Sequence, residues 1–82
     1  MAVSTPLRTY RVVLEQEPDG SAWNASVPAL PGCFTHGPTP KEALERAEEA
    51  VTAFLESLAK HGEPLPPSDA SGPSVTVLEP CL

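Results

Sequence analysis

Apolar and polar residues alternate over the first third of the chain, the pattern of β-strands that have one buried face. Residues 7–17 show it first, with a shared face of Tyr10, Val12 and Leu14. Residues 18–21 (PDGS) are typical of a hairpin turn, because Asp-Gly accommodates the positive φ of tight turns. Residues 22–27 then alternate around Trp23, Ala25 and Val27. We therefore predict two antiparallel strands joined by a tight turn.

A spacing of three to four apolar positions replaces this alternation after Thr39 and indicates one amphipathic helix. Thr39 suits the N-cap, Pro40 the first helical position, and Glu42 completes a capping box. The predicted apolar stripe consists of Leu44, Ala47, Val51, Phe54, Leu55 and Leu58. Gly62 is suited to the position after the C-cap. The predicted helix therefore runs from about Pro40 to His61.

Prolines and glycines divide the segment between the second strand and the helix into two corners. Pro28 ends the second strand because it has no backbone donor. Leu30, Pro31 and Gly32 form the first corner, and Cys33 to His36 are predicted to be a short third strand. After the helix, residues 62–73 are expected to be an extended Pro-rich linker, and residues 74–79 the final strand.

These elements predict one α+β domain over residues 1–82, with a β-β-β-α core at residues 7–61. The first three strands should form an antiparallel meander. A right-handed crossover through the helix should then return the last strand parallel to the first. The expected fold is β-β-β-α-β, a single sheet of order 3-2-1-4 with the helix on one face and the other face open.

Charge and composition restrict the functions that this chain can have. Eleven acidic residues against five Lys and Arg give a net charge of −6. Nucleic-acid affinity depends on basic side chains that neutralise phosphates, so no direct binding to DNA or RNA is expected. The N-terminal segment lacks the apolar region of a signal peptide, and no stretch has the length of a membrane span. The chain is therefore expected to be cytoplasmic, without membrane contact.

The spacing of the polar residues fits structural roles better than catalysis or metal binding. Cys33 and His36 are three residues apart on a predicted strand, so they should face opposite sides and not chelate a metal. In a cytoplasmic protein Cys33 and Cys81 should be reduced, with a disulfide between them as the alternative. The carboxylates lie mainly in turns and on the solvent side of the helix, which does not suit a two-metal nuclease. We predict no catalytic residue, no metal, no cofactor and no enzymatic activity.

The open face of the predicted sheet carries the residues that could bind a partner. If Cys33 and Thr35 face the helix, Phe34 and His36 face outward, and Val13 joins them. An outward apolar patch on a small acidic domain favours a protein interface. Isolated exposed apolar residues without a role are the alternative. Val13, Phe34 and His36 are therefore the predicted partner-binding residues.

The order of these motifs resembles the HicB-like family, the antitoxins of HicAB toxin–antitoxin modules. The resemblance covers about residues 8–67 and includes Y-x-V-x-L, a D-G turn, V-P-x-L-P-G-C and T-x-x-E-A-L. Its fold-defining positions are Pro28, Leu30, Pro31, Gly32, Cys33, Thr39 and Glu42. Ala29 and Pro38 depart from the pattern, since the family usually has acidic residues there.

The resemblance implies a partial RNase-H-like fold and a non-enzymatic antitoxin domain. Such a domain would bind a small basic HicA-type RNA-cleaving toxin and neutralise it by steric occlusion. Many family members continue into a helix-turn-helix or ribbon-helix-helix domain; this sequence stops at Leu82, so DNA-dependent autoregulation is not carried over to it.

Two other functions stay open at this point. The chain could be an orphan structural module that self-assembles without a toxin, or an accessory protein that binds RNA directly, although its charge argues against the latter. In any of these roles we expect a homodimer or higher homo-oligomer, formed through edge strands or open sheet faces.

Overall fold

The computed structural model describes residues 7–69 and 72–79. In these ranges the chain forms five strands and one helix, in the order β1 (Leu7–Arg11), β2 (Val13–Gln16), β3 (Trp23–Ser26), β4 (Phe34–Gly37), α1 (Pro40–Lys60) and β5 (Ser74–Leu78). The α+β class is confirmed. The first predicted strand is divided in two at Val12, so that β1 and β2 take the place of one strand.

The strands around the predicted hairpin form an antiparallel sheet of order β2-β3-β4. Its first turn is closed by backbone hydrogen bonds from Glu17 to Ala22 and from Gly20 to Glu17, each 2.8 Å long. The meander of the first three predicted strands is therefore confirmed. The local pattern was sufficient here because a short turn and two alternating segments determine the pairing between them.

The position of the last strand differs from the prediction in two ways. β5 runs antiparallel to β1, with Leu7 opposite Leu78 and Arg11 opposite Ser74, where a parallel strand was predicted. The strands also form two sheets, β1-β5 and β2-β3-β4, instead of one sheet of order 3-2-1-4. The second sheet does not reach β1 because β3 ends at Ser26, just before Pro28 removes a ladder donor.

The crossover rule failed because the linker, and not β5, makes the return parallel to β1. Asp69 pairs with Tyr10 in the parallel sense, and the Asp69 amide donates to the Thr9 carbonyl at 2.8 Å. The Pro66 carbonyl accepts hydrogen bonds from Tyr10 Oη at 2.7 Å and from Arg8 Nη1 at 2.8 Å. A strand has one neighbour on each edge, so the linker occupies the edge of β1 that β5 leaves free.

Substituting Tyr10 with phenylalanine tests how firmly the linker is held. Tyr10 is completely buried, and the change removes one of the two donors to the Pro66 carbonyl while Arg8 keeps the other. We expect the free energy of unfolding to fall by about 1 kcal/mol. Hydrogen exchange of the Asp69 amide should accelerate more than that of β3 amides. Equal acceleration at both places would contradict a local role in holding the linker.

Both ends of α1 are closed by the residues that the sequence indicated. At the N-terminus, Thr39 Oγ1 accepts a hydrogen bond from the Glu42 amide at 3.1 Å. At the C-terminus the Glu63 amide donates to the Leu58 carbonyl at 2.9 Å across Gly62, whose φ is 71°. The helix itself ends at Lys60, one residue earlier than predicted, with the next residue as its C-cap.

The buried side of α1 lies slightly to one side of the predicted stripe. Its fully buried residues are Ala43, Ala47, Val51 and Leu55. Leu44, Phe54 and Leu58 are only partly buried and pack against the margin of this core. The helix packs on β3, β4 and β5 and covers the sheet face that carries Tyr10, Val12, Ala25, Val75 and Val77. Small alanines at the helix contact let the helix approach the sheet closely.

Candidate protein-binding face of the sheet

The face of the strands that points away from α1 is called the open face here. Residues paired across antiparallel strands point to the same side, so the register defines which side chains are neighbours. Val13, Ser26 and Phe34 form one row across β2, β3 and β4. The next row contains Glu15, Asn24 and His36. The three residues predicted to bind a partner therefore lie on the same face, in adjacent rows.

The three predicted residues differ in how much of their surface is exposed to solvent. Phe34 has 75% of its surface exposed, the largest value among the exposed large hydrophobic residues of the described chain. His36 is also exposed, whereas Val13 is half-buried. Ser26, between Val13 and Phe34, is exposed and small. Phe34 is therefore the residue of this face with the most apolar surface left to bury, and Val13 contributes less than the sequence indicated.

Both ends of β4 are fixed, which holds Phe34 in a defined place. The corner before it is closed by hydrogen bonds from Val27 to Cys33, Leu30 to Val27 and Cys33 to Leu30, each between 2.9 and 3.0 Å, and Leu30 is completely buried. After Phe34, the His36 carbonyl accepts a hydrogen bond from Arg46 Nη1 at 3.0 Å. A backbone held in this way loses little conformational freedom on binding, so only the side chain of Phe34 has to be ordered.

Two carboxylates lie beside the apolar centre of the open face. Glu15 is exposed in the row next to Phe34. Asn24 Nδ2 donates to Glu17 Oε1 at 2.7 Å, so a second carboxylate lies close to this row. Protein interfaces commonly combine an apolar centre with a polar rim, and carboxylates in the rim favour contact with basic side chains of a partner. The arrangement suits a basic protein surface.

A second apolar pair on the open face was missed by the sequence analysis. Leu7 and Leu78 lie opposite each other at the end of the β1-β5 ladder and are 62% and 60% exposed. Next to them Thr9 Oγ1 and Thr76 Oγ1 are 2.9 Å apart, within hydrogen-bond distance. No local pattern could reveal this pair, because the two leucines become neighbours only when β5 is antiparallel to β1.

The cysteine and histidine of the C-x-x-H segment do not form a joint site. Cys33 is a buried free thiol in the core on the α1 side, whereas His36 is exposed on the open face. Within residues 7–69 and 72–79, no three or more His, Cys, Asp and Glu side chains are grouped so that they could hold a metal ion. Cys81, the other cysteine considered above, lies outside the described residues.

Burial raises the pKa of the Cys33 thiol above its ordinary value. Folding therefore favours the neutral thiol over the thiolate. Burying the neutral thiol therefore contributes fully to stability below the pKa of an unfolded cysteine, about 8.5. This contribution is lost as the pH rises through the higher pKa of Cys33 in the folded protein. In a Cys81→Ser background we expect slow alkylation of native Cys33 at pH 8 and rapid alkylation in denaturant. Cys33→Ala should remove the alkaline fall in stability that Cys33 causes; native alkylation as fast as in denaturant would contradict its burial.

The described ranges contain one helix, α1. No helix there has the length and apolar character needed to cross a membrane. α1, at 21 residues, is long enough but carries several charged residues.

The sequence and the fold were compared with known proteins. At 49% identity over 61 residues, the chain is similar to the UPF0150 protein Ta0767 of Thermoplasma acidophilum; the match covers 74% of this chain and 87% of that protein. It is 40% identical over 60 residues to the UPF0150 protein ssr1765 of Synechocystis, covering 73% and 75% of the two chains. The fold matches a chain in the structure of the HicA3 and HicB3 toxin–antitoxin complex with a TM-score of 0.61 and 23% identity, over 85% of this chain and 93% of that one.

A model built for a whole protein family also matches this chain. The model described as the HicB-like antitoxin of bacterial toxin–antitoxin systems matches residues 10–75. This range includes the hairpin, the two corners around β4, all of α1 and the start of β5. The family predicted from the motif order is thereby confirmed, and the chain belongs to the HicB-like antitoxin family.

Proposed function

We propose that this chain binds a small basic HicA-type RNA-cleaving toxin through its open face and neutralises it by steric occlusion. The observation that carries the proposal is Phe34, which is 75% exposed on a strand held at both ends, with Glu15 in the neighbouring row, in a member of an antitoxin family. The chain itself is assigned no catalytic step. Its role is to cover the surface with which the toxin would contact RNA.

Two further observations support a HicA-type partner. A solved structure with a similar fold contains HicA3 together with HicB3. The net charge of −6 attracts a basic protein at a distance, which raises the rate of association at low salt. Toxins that act on RNA need basic surfaces for the phosphates, so an acidic domain and such a toxin are complementary.

The binding energy would come mainly from apolar contacts near Phe34. Burying a phenylalanine side chain contributes roughly 1.5 to 3 kcal/mol, and a central aromatic anchor commonly dominates an interface. The carboxylates in and beside the neighbouring row would favour the correct partner and orientation more than they would add affinity. His36 and Val13 would extend the contact on two sides of Phe34.

Calorimetric titration with the product of a small basic HicA-type toxin gene tests the proposal. We expect a stoichiometric complex and, in a parallel assay, loss of RNA cleavage by that protein as this chain is added. The control is the same titration with a basic RNA-binding protein of unrelated fold, which should show no stoichiometric binding. Absence of a complex with the gene's product at about micromolar concentration would contradict the proposal and favour the module without a toxin.

A further inference from the structure

The two outermost strands, β4 and β5, differ in the protection of their free edges. The Val27 amide donates a hydrogen bond to the Cys33 carbonyl, so the backbone N–H and C=O groups of odd-numbered residues in β4 point toward β3. Those of even-numbered residues, including His36, point to the free edge. The outward carbonyl of His36 is already taken by Arg46, at 3.0 Å. A charged side chain bound to an edge is one of the ways in which proteins prevent strand addition.

β5 has no comparable protection in the described residues. The Val12 amide donates to the Pro73 carbonyl at 2.7 Å. Because hydrogen-bonding groups alternate along a strand, the backbone groups of Val75 and Val77 also point toward β1. The backbone groups of the alternate residues therefore face away from β1, and no hydrogen bond to them is found in the described part of the chain. These residues are Ser74, Thr76 and Leu78.

The composition of β5 is unusual for a free edge. The strand reads SVTVL, with no charged residue and no proline within it. The three residues whose backbone groups point to the free edge are all exposed, Leu78 at 60%. Edge strands normally carry lysine, proline or a bulge that discourages pairing with another strand. An uncharged, β-branched edge of this kind is suited to pairing and is stabilised when its backbone groups find a partner.

A groove continues from this edge onto α1. It has a volume of about 670 Å³, and its helix side is lined by Lys41, Leu44, Glu45 and Glu48, and its strand side by Ser74, Val75 and Thr76. Lys41 and Glu48 lie at opposite ends of the helix segment, with the half-buried Leu44 between them. The helix side of the groove therefore has a positive end and a negative end, with Leu44 and Glu45 between them, and the two charged ends become complementary to each other after a two-fold rotation.

We propose that a second copy of this chain occupies the β5 edge, forming a two-fold dimer through antiparallel pairing of β5 with β5. With Thr76 at the axis, Ser74 would pair with Leu78 of the partner subunit, so that every outward backbone group of the three residues is bonded. The same rotation brings Lys41 toward Glu48 of the partner subunit. Glu45 gains no opposite charge in this arrangement, which limits the affinity.

This dimer is independent of toxin binding. Pairing uses the edge of β5, whereas Phe34 lies on the open face of the other sheet. Both copies would keep that face exposed. A failure to dimerise would therefore leave the proposed antitoxin function intact, and a failure to bind toxin would leave the dimer intact.

Sedimentation equilibrium of the full chain, with and without Thr76→Pro, tests the dimer. Proline at this position removes an outward amide that β1 does not use, so the fold should tolerate it, as edge strands generally do. We expect a concentration-dependent dimer for the unmodified chain and a dissociation constant higher by on the order of 100-fold for Thr76→Pro. The matched control, Thr76→Val, keeps the amide and should stay dimeric.

A charge exchange and hydrogen exchange provide evidence that does not depend on the proline variant folding. Lys41→Glu should weaken the dimer by roughly threefold to tenfold, and adding Glu48→Lys should restore it. The amides of Thr76 and Leu78 should gain protection as concentration rises, whereas the edge amide of Phe34 should not. A chain that is monomeric at high concentration, or a folded Thr76→Pro variant that dimerises normally, would overturn the proposal.

Discussion

Replacing Gly37 with alanine is expected to lower the free energy of unfolding by about 3 kcal/mol, a large part of the stability of a small domain. Gly37 is buried at the end of β4, beneath the first turn of α1. A Cβ atom there would lie 2.7 Å from the Ala43 amide nitrogen and 3.0 Å from the Glu42 carbonyl carbon. Both are backbone atoms, so the strand or the whole start of the helix would have to move.

Urea unfolding of the variant measures this loss, and Gly62→Ala is a suitable control. Gly62 has a φ of 71°, and a Cβ atom there would meet nothing within 4 Å. Alanine at this C-terminal position should cost only about 1 kcal/mol, from backbone strain without a clash. If Gly37→Ala cost no more than Gly62→Ala, the close approach of β4 and α1 would not be a rigid requirement.

Phe34→Thr is expected to weaken binding of the proposed HicA-type toxin on the order of 100-fold. Because Phe34 is 75% exposed in the free chain, its replacement by another β-forming residue should change the free energy of unfolding by only about 0.5 kcal/mol. Calorimetric titration measures the affinity, and urea unfolding measures the stability of the same sample. A loss of affinity at constant stability would assign the effect to the interface.

Leu7→Thr is the matched control for this substitution. Leu7 is 62% exposed on the same face, but it lies at the far end of β1, six residues before Val13. The two residues belong to different sheets, and a fully extended chain of six residues would span roughly 20 Å. The control should bind the toxin with unchanged affinity. If Leu7→Thr weakened binding as strongly as Phe34→Thr, the contact would extend over the whole open face, and if neither did, the proposed interface would be wrong.

Side-chain alternation in the sequence was enough to place two of the candidate residues on one exposed face, whereas their binding of a partner stays a prediction. Phe34 and His36 are two residues apart on one strand, so an extended backbone places them on the same side whatever the rest of the fold. Their exposure required only that Cys33 pack inward, and it does. The half-burial of Val13 could not be predicted this way, because it depends on the packing around β2 in three dimensions.

Local interactions explain which parts of the fold could be predicted. The turn at residues 18–21 determines the hairpin, and the capping residue Thr39 and Gly62 delimit the helix, because each acts on backbone groups only a few residues away. The class, the order of elements and the motif that identifies the family all follow from such short-range patterns. These features were determined by the sequence without knowledge of the tertiary structure.

Tertiary structure alone decided the placement of β5 and everything that depends on it. The linker runs beside β1 because the Pro66 carbonyl accepts hydrogen bonds from Tyr10 and Arg8, partners more than 50 residues away in the sequence. Because the linker occupies one edge of β1, β5 pairs with the other edge and runs antiparallel to β1. This pairing brings Leu7 opposite Leu78 and leaves one edge of β5 free. Since such contacts depend on chain segments that meet only after folding, no periodicity or turn motif could have shown them.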